Sequence, residues 1–339
     1  MKYLPTTSLA SMAVFAGSFP IAVVTALSLG CGVLGASDDD PNDDVTARPA
    51  GRSAPWLLDD TTVARELVNP ASPLLRIENT LFHRRYQGRL PESDAGDAWV
   101  YELTPVYPIV FDSGRVLEVR ATIPVSFSDY TWEVWYGDPI WELDRGYGEW
   151  LLRQSPQVTP STGRFKTAHG HLDDVRLDVT YGGMDERGFI GMYGIAASFP
   201  SSTDITASRD QFLLGPEVVL GRQHARGIYG ARLTHMMAVS GDGRYDVNET
   251  RAALFFAWQL RDGWQLVSNP SVLYDWEGDS GNRLLLPVGG GISRTTRIGR
   301  IPLKLDAEVY YYAKTTERFG TEWQFSLRLT PVLWNPWED

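Results

Sequence analysis

The chain has 339 residues, a net charge of −11 and a hydrophobic fraction of 43%. That length suits one large β domain or two ordinary ones, and the acidic balance argues against nucleic acid, whose phosphates need clustered Lys and Arg. Past the N-terminal segment no run reaches the roughly 18 apolar residues of a membrane helix, which excludes a helical membrane protein but not a membrane β-barrel.

Residues 1–36 read as an export signal: Lys2 gives a positive end and residues 8–36 are apolar and small, with Pro20 weakening the alternative of a helical anchor. The one cysteine, Cys31, permits no intramolecular disulfide and no cysteine-rich metal site. It follows Leu27-Ser28-Leu29-Gly30, a pattern resembling a bacterial lipoprotein cleavage site, so Cys31 is either lipidated or discarded by ordinary cleavage after Ala36. Residues 37–72 form a periplasmic spacer, acidic at first and without periodicity to about Pro55. Within it DTTVARELV (60–68) suits a short helix, either a plug at the mouth of a barrel or a frayed tail.

From residue 73 to 334 the pattern predicts about twelve strands, with a tail at 335–339. They fall at 74–86, 98–111, 115–127, 172–182, 188–199, 211–222, 226–239, 249–260, 264–277, 282–294, 301–314 and 321–334. The segment 249–277 is the clearest. Ala252, Leu254, Phe256, Trp258 and Leu260 alternate with polar or small residues, and after a tight turn Trp264, Leu266, Val272, Tyr274 and Trp276 do the same. Trp at both ends of one apolar face suits a strand crossing a bilayer, because indole rings settle at the two water–lipid boundaries. Every second link between strands is short, and the others, including 87–97, 129–170, 200–210 and 240–248, are long or polar. Short turns at one end and long loops at the other describe an up-and-down outer-membrane barrel.

The polar faces carry charges of both signs, which an apolar core would not tolerate unpaired. A membrane barrel turns them inward, to a wet lumen. The candidates for a solute path are therefore Glu118, Arg120, Arg251, Arg283, Asp306, Glu308 and Arg328, with Tyr310 and Tyr312 facing the same way. They either shape the field of a pore or pair to rigidify a closed barrel. Other constellations are thin. His169 and His171, followed by Asp173 and Asp174, read as solvated loop residues before they read as a metal site. Asp242, Asp246 and Glu249 lack calcium-loop spacing. A lipase would need His235 and Ser240 brought together with an orienting Asn248 or Asn282. Gly289-Gly290-Gly291 sits in a strand, where small residues would ease curvature or make room for a neighbouring aromatic or a plug. No cofactor is called for.

The stretch 263–313 resembles the C-terminal half of the bacterial outer-membrane family named for the meta-pathway of phenol degradation. The matching positions are Gly263, Trp264, Ser268, Pro270, Trp276, Asn282, Arg283, Pro287, Gly289, Gly291, Gly299, Pro302, Tyr311 and Tyr312. Upstream, LTPVYPIVF and LEVRATIPV resemble its second and third strands, and the likeness runs over residues 62–334. Gly170-His171-Leu172-Asp173-Asp174 and the Trp- and Tyr-rich loop 129–170 depart from it. The resemblance implies an outer-membrane channel for small, hydrophobic or aromatic solutes. Its partners would be outer-membrane lipid, a solute left open, and the barrel-assembly machinery, which would read Trp334 or Trp337. The competing readings are a non-conducting surface-interaction barrel and an outer-membrane hydrolase.

Overall fold

A computed structural model describes residues 55–333, apart from 91, 92, 95, 135–162, 204–208, 242–245 and 262. The expected export signal with Cys31, the spacer before Pro55, most of the aromatic loop, and the tail with Trp334 and Trp337 lie outside the described residues. The strands are β1 (Arg76–Gln87), β2 (Asp97–Val110), β3 (Val116–Val134), β4 (Gly163–Leu172), β5 (Val175–Met184), β6 (Phe189–Phe199) and β7 (Gln211–His224), followed by β8 (Gly227–Gly241), β9 (Asn248–Gln259), β10 (Trp264–Ser268), β11 (Ser271–Asp275), β12 (Leu284–Ile298), β13 (Ile301–Lys314) and β14 (Gly320–Pro331). β4 and β5 are one crossing interrupted at Asp173-Asp174, and β10 and β11 are one crossing interrupted at Asn269-Pro270. The result is twelve antiparallel crossings, each paired with its chain neighbours.

The sheet closes on itself. β1 pairs with β14 from Asn79↔Leu329 to Gln87↔Gly320, so the first and last strands leave no edge. Links of two to five residues (111–115, 185–188, 225–226, 260–263, 299–300) gather at the end where the chain enters and leaves, and links of five residues or more at the other.

The pleat sorts the residues as a bilayer requires. The outer face exposes Ile195, Val218, Leu220, Val288, Ile292, Leu305, Leu327 and Leu329. Aromatics flank this belt: Phe111, Tyr229 and Trp258 near the short turns, and Trp99, Phe127, Phe199, Trp276 and Trp323 near the long loops. The inner face buries Glu118, Asp178, Glu217, Lys304, Asp306 and Glu308. An oily exterior, a charged interior and no free edge define a membrane-spanning β-barrel of the outer-membrane type. No helix of the described residues is long and apolar enough to cross a membrane.

Two expectations change. The predicted loop 129–170 is partly strand, because β3 runs on to Val134 and pairs with β4 from Val125↔Leu172 to Val134↔Gly163. The β2–β3 register slips between Trp99 and Val100, which oppose Ser128 and Ser126 and leave Phe127 as the extra residue. A bulge of this kind moves later side chains to the other face. Read as a sequence, the break in the odd-numbered apolar alternation after Phe127 looks like a strand ending. His169 and His171 therefore lie in a strand, not a loop.

The second change concerns the lumen, while the short helix expected at 60–68 is present. A 3-10 turn (Pro55–Leu57) leads to helix α1 (Asp60–Glu66), capped by Asp59, whose carboxylate accepts from the Thr61 and Thr62 amides at 2.9 and 3.0 Å. Val63 and Leu67 of this segment pack with Leu74 and Val332, while Val68 and Ala71 pack with Ile190, Met192, Val219, Ile228, Ala257 and Val267. Those six alternate with lipid-facing residues on β6 to β10, so they point inward. The lumen is thus not uniformly wet: its short-turn end has an apolar floor, seated on by residues 55–74.

Leu327 stands 62% exposed on the outer face. Leu327→Arg places a guanidinium against lipid and should lower stability by about 2–4 kcal/mol if it sits near the midplane. Guanidinium titration in phosphatidylcholine vesicles reads this. An unchanged midpoint would mean that face meets water.

Candidate functional site

Above the floor lies a belt of paired charges. Arg76 on β1 contacts Glu78 at 3.1 Å and Glu118 on β3 at 3.3 Å, and Arg120 contacts Glu78 at 3.1 Å. Arg176 on β5 reaches Asp178 at 2.6 Å and Glu217 on β7 at 3.1 Å, and donates to Thr234 on β8 at 3.1 Å. Arg232 on β8 joins the two halves, one nitrogen on Glu217 and the other on Glu118. β3 and β8 are four strands apart round the barrel, so this guanidinium spans the lumen. It has room because β6, between them, turns Gly194 and Ala196 inward. Glu118 and Glu217 are each 1% exposed. The belt is dry, where the alternation of the sequence implied water.

A second polar group lines β12 to β14. Lys304 and Asp306 pair at 3.1 Å, and Arg328 donates to Thr80 at 3.1 Å. Glu308 and Tyr310 reach over β12 to the break between β10 and β11. There Pro270 interrupts the ladder, and Asn269 would leave its amide unsatisfied. Its backbone N–H donates to the Tyr310 hydroxyl at 2.6 Å, its side-chain amide to Glu308 at 3.0 and 3.1 Å, and Tyr310 donates to Glu308. Gly289 and Gly291 face inward on β12 between these partners, and a Cβ on either would strike the backbone of β13 at 2.0 or 1.8 Å. The inward glycines of the run make room for the close approach of the β13 backbone.

These contacts sort the residues expected on a solute path. Glu118, Arg120, Asp306, Glu308, Tyr310 and Arg328 all face inward and all hold other groups of the wall. Tyr310 is 3% exposed, too closed in to meet a solute. Tyr312 is only half-buried, and its hydroxyl lies 3.3 Å from Gln324, which also accepts from Arg84 at 3.1 Å. Arg251 faces the lumen nearer the long loops. Arg283 falls just outside β12, and its Nε donates to the Gly278 carbonyl at 2.5 Å, fastening the loop between β11 and β12.

The minor constellations dissolve. His171 is buried and lies 3.0 Å from Asp173, which also accepts from Ser126, while Asp174 accepts from the Ser202 and Arg209 amides. Glu249 is held by Arg209 at 3.0 Å; Asp242 lies outside the described residues. His235 lies 2.8 Å from Thr250, whose hydroxyl also accepts the Trp276 indole N–H at 2.8 Å. Among the described residues no hydrogen bond joins His235 to Ser240. Sequence reasoning turned Arg232 inward without making it a site residue, and it missed Glu217 and Arg297. The signal for the first two was a lone charge on an otherwise apolar strand.

Arg297, near the short-turn end of β12, ties the plug to the wall. It donates to Asp60 at 2.7 Å and to the backbone carbonyls of Trp56 (3.2 Å) and Leu58. Glu66 of α1 is 2% exposed. Burial pushes its carboxyl above the ordinary range, against the pull of Arg65, Ser72, Arg76 and Asn69.

No protein-family model and no curated protein sequence matches the chain. Solved structures do resemble it. An outer membrane channel from Pseudomonas putida F1 is 9% identical with a TM-score of 0.48, over 77% of this chain and 96% of that one. The NanC porin is 11% identical with a TM-score of 0.41, over 77% and 100%. Outer membrane phospholipase A from Escherichia coli is 10% identical with a TM-score of 0.37, over 76% and 90%. All three are outer-membrane proteins, but at such scores the likeness carries no argument about activity, and channels stand beside an enzyme.

Arg232→Met leaves Glu118 and Glu217 each short of a partner in a dry site and should cost about 3–5 kcal/mol. Combining it with Glu118→Gln and Glu217→Gln should recover much of that loss, read by denaturant midpoint in detergent. A second expectation concerns Glu66. An acid with a raised folded pKa binds its proton more tightly folded than unfolded, so the seating of α1 weakens as pH rises above about 4.5 and strengthens as pH falls towards it. Hydrogen exchange at residues 60–67, corrected for intrinsic rates, should show less protection at pH 8 than at pH 4.5. Glu66→Gln should flatten the difference.

Proposed function

We propose that the chain is an outer-membrane channel for small solutes, stopped at its short-turn mouth by residues 55–74. One observation supports this above the rest: the plug is a separate N-terminal piece, held by side-chain contacts and no strand pairing, at the bottom of a barrel whose wall is complete without it. A barrel meant only as a wall has no need of a removable floor. The short-turn end is read as periplasmic, as in barrels of this type, and the export signal expected in the sequence delivers the chain there.

The finer placement, in the phenol meta-pathway family, draws support from Pro270, Gly289 and Gly291, resemblance positions that shape the break in the wall. The hydrolase reading is the weaker, because its pair, His235 and Ser240, shares no hydrogen bond among the described residues, and His235 meets Thr250 instead. A surface-interaction barrel remains the second reading, favoured by the dry charge belt.

Planar-bilayer recording separates the two. Wild-type protein should give small, infrequent openings. Arg297→Ala, which frees Asp60 and two carbonyls of the plug, should raise the open probability at least tenfold with the barrel still folded, as shown by faster gel migration when unheated. A folded Arg297→Ala protein that never conducts contradicts the channel.

A further inference from the structure

We infer that Arg251 is a binding site for the carboxylate of a small organic anion entering from the long-loop side, an inference that deepens the channel reading and rests on it for its role in transport. The argument starts from charge balance. The central belt holds the guanidiniums of Arg76, Arg120, Arg176 and Arg232 against the carboxylates of Glu78, Glu118, Asp178 and Glu217, and these pair with one another. One layer nearer the long loops the balance fails. Arg251 lies opposite Thr234 in the ladder, and its nearest carboxylate, Glu249, is 3.9 Å away. Glu249 is held more closely by Arg209, at 3.0 Å.

Arg251 is also shaped for a ligand. Its Nε is buried and makes no hydrogen bond, while the side chain as a whole keeps 39% of its surface. A cation anchored at its root, open at its tip and short of a counter-ion is stabilised by any carboxylate that lies along its edge, because guanidinium and carboxylate match in a two-pronged contact. Tyr312 on β13, three crossings round the wall, lies within electrostatic range of Arg251 and is half-buried, so an apolar body attached to the carboxylate has a ring to rest on. Glu102 faces Arg251 from β2, six strands round a barrel of twelve and therefore directly across. Its charge disfavours a second anion and steers the carboxylate to the arginine side.

The test uses the full chain folded in detergent, with benzoate as probe and benzyl alcohol as its uncharged control, read by calorimetry. Wild-type protein should bind benzoate saturably and benzyl alcohol at least tenfold more weakly. Arg251→Gln should weaken benzoate at least tenfold. Glu249→Gln, which removes the competing carboxylate, should tighten it severalfold, a gain that misfolding cannot mimic. Equal binding of the two probes, or benzoate binding unchanged in Arg251→Gln, overturns the inference. If benzoate binds as expected but neither wild type nor Arg297→Ala conducts in bilayers, the site stands and the channel reading falls. If the protein conducts and benzoate ignores Arg251, the channel stands and the site falls.

Discussion

In hydrocarbon no water can satisfy a peptide group, and this constraint organises the whole structure. Each N–H and C=O of the wall must find a partner within the sheet, so the sheet must close. The β1–β14 pairing does this. The same demand explains the oddest part of the wall. Where Pro270 breaks the ladder between β10 and β11, the orphaned Asn269 amide is recovered from inside by Tyr310 and Glu308, which in turn requires Gly289 and Gly291 to be bare. The polar side chains inside the wall thus repair one missing hydrogen bond of the ladder.

Closing the wall creates an interior, and the interior sets a second problem. Twelve strands leave space that side chains must fill or water must occupy. This chain divides it into layers. The floor is apolar and seated on by the N-terminal segment. The belt above is ionic and dry, with Arg232 bridging the lumen between Glu118 and Glu217. Ions so buried are costly alone and tolerable together, so the belt is a cooperative unit and not a row of independent charges. Towards the long loops the pairing thins, and Arg251 is left with an open tip.

Much of this was legible in the sequence, and the limits have physical causes. Strand number, order and the alternation of short and long links were readable because each outward face must be apolar along its full length. Segment 249–277 showed this most clearly. β6 to β8 were harder to read, because Ile190, Met192, Val219 and Ile228 line the floor and make the inner face apolar too, erasing the contrast. The register slip at Phe127 broke the alternation, and residues 129–134 of β3 and 163–170 of β4 read as loop. Inward direction could be assigned to Glu118, Arg120 and Arg328, but not partnership, since Arg232 and Glu118 are 114 positions apart and meet only when the barrel closes. Tyr310 and Tyr312 look alike in the sequence. The wall break at Asn269 consumes one and spares the other.

The central claim is the direction of the oily face, and site-directed spin labelling along β14 tests it most directly. Single cysteines placed from residue 324 to 329, with Cys31 replaced, would carry the label in lipid vesicles. The account predicts high collision rates with dissolved oxygen at 325, 327 and 329 and low rates at 324, 326 and 328. The opposite phase, or strong contact of 325, 327 and 329 with a water-soluble nickel reagent, would place water where this structure requires lipid.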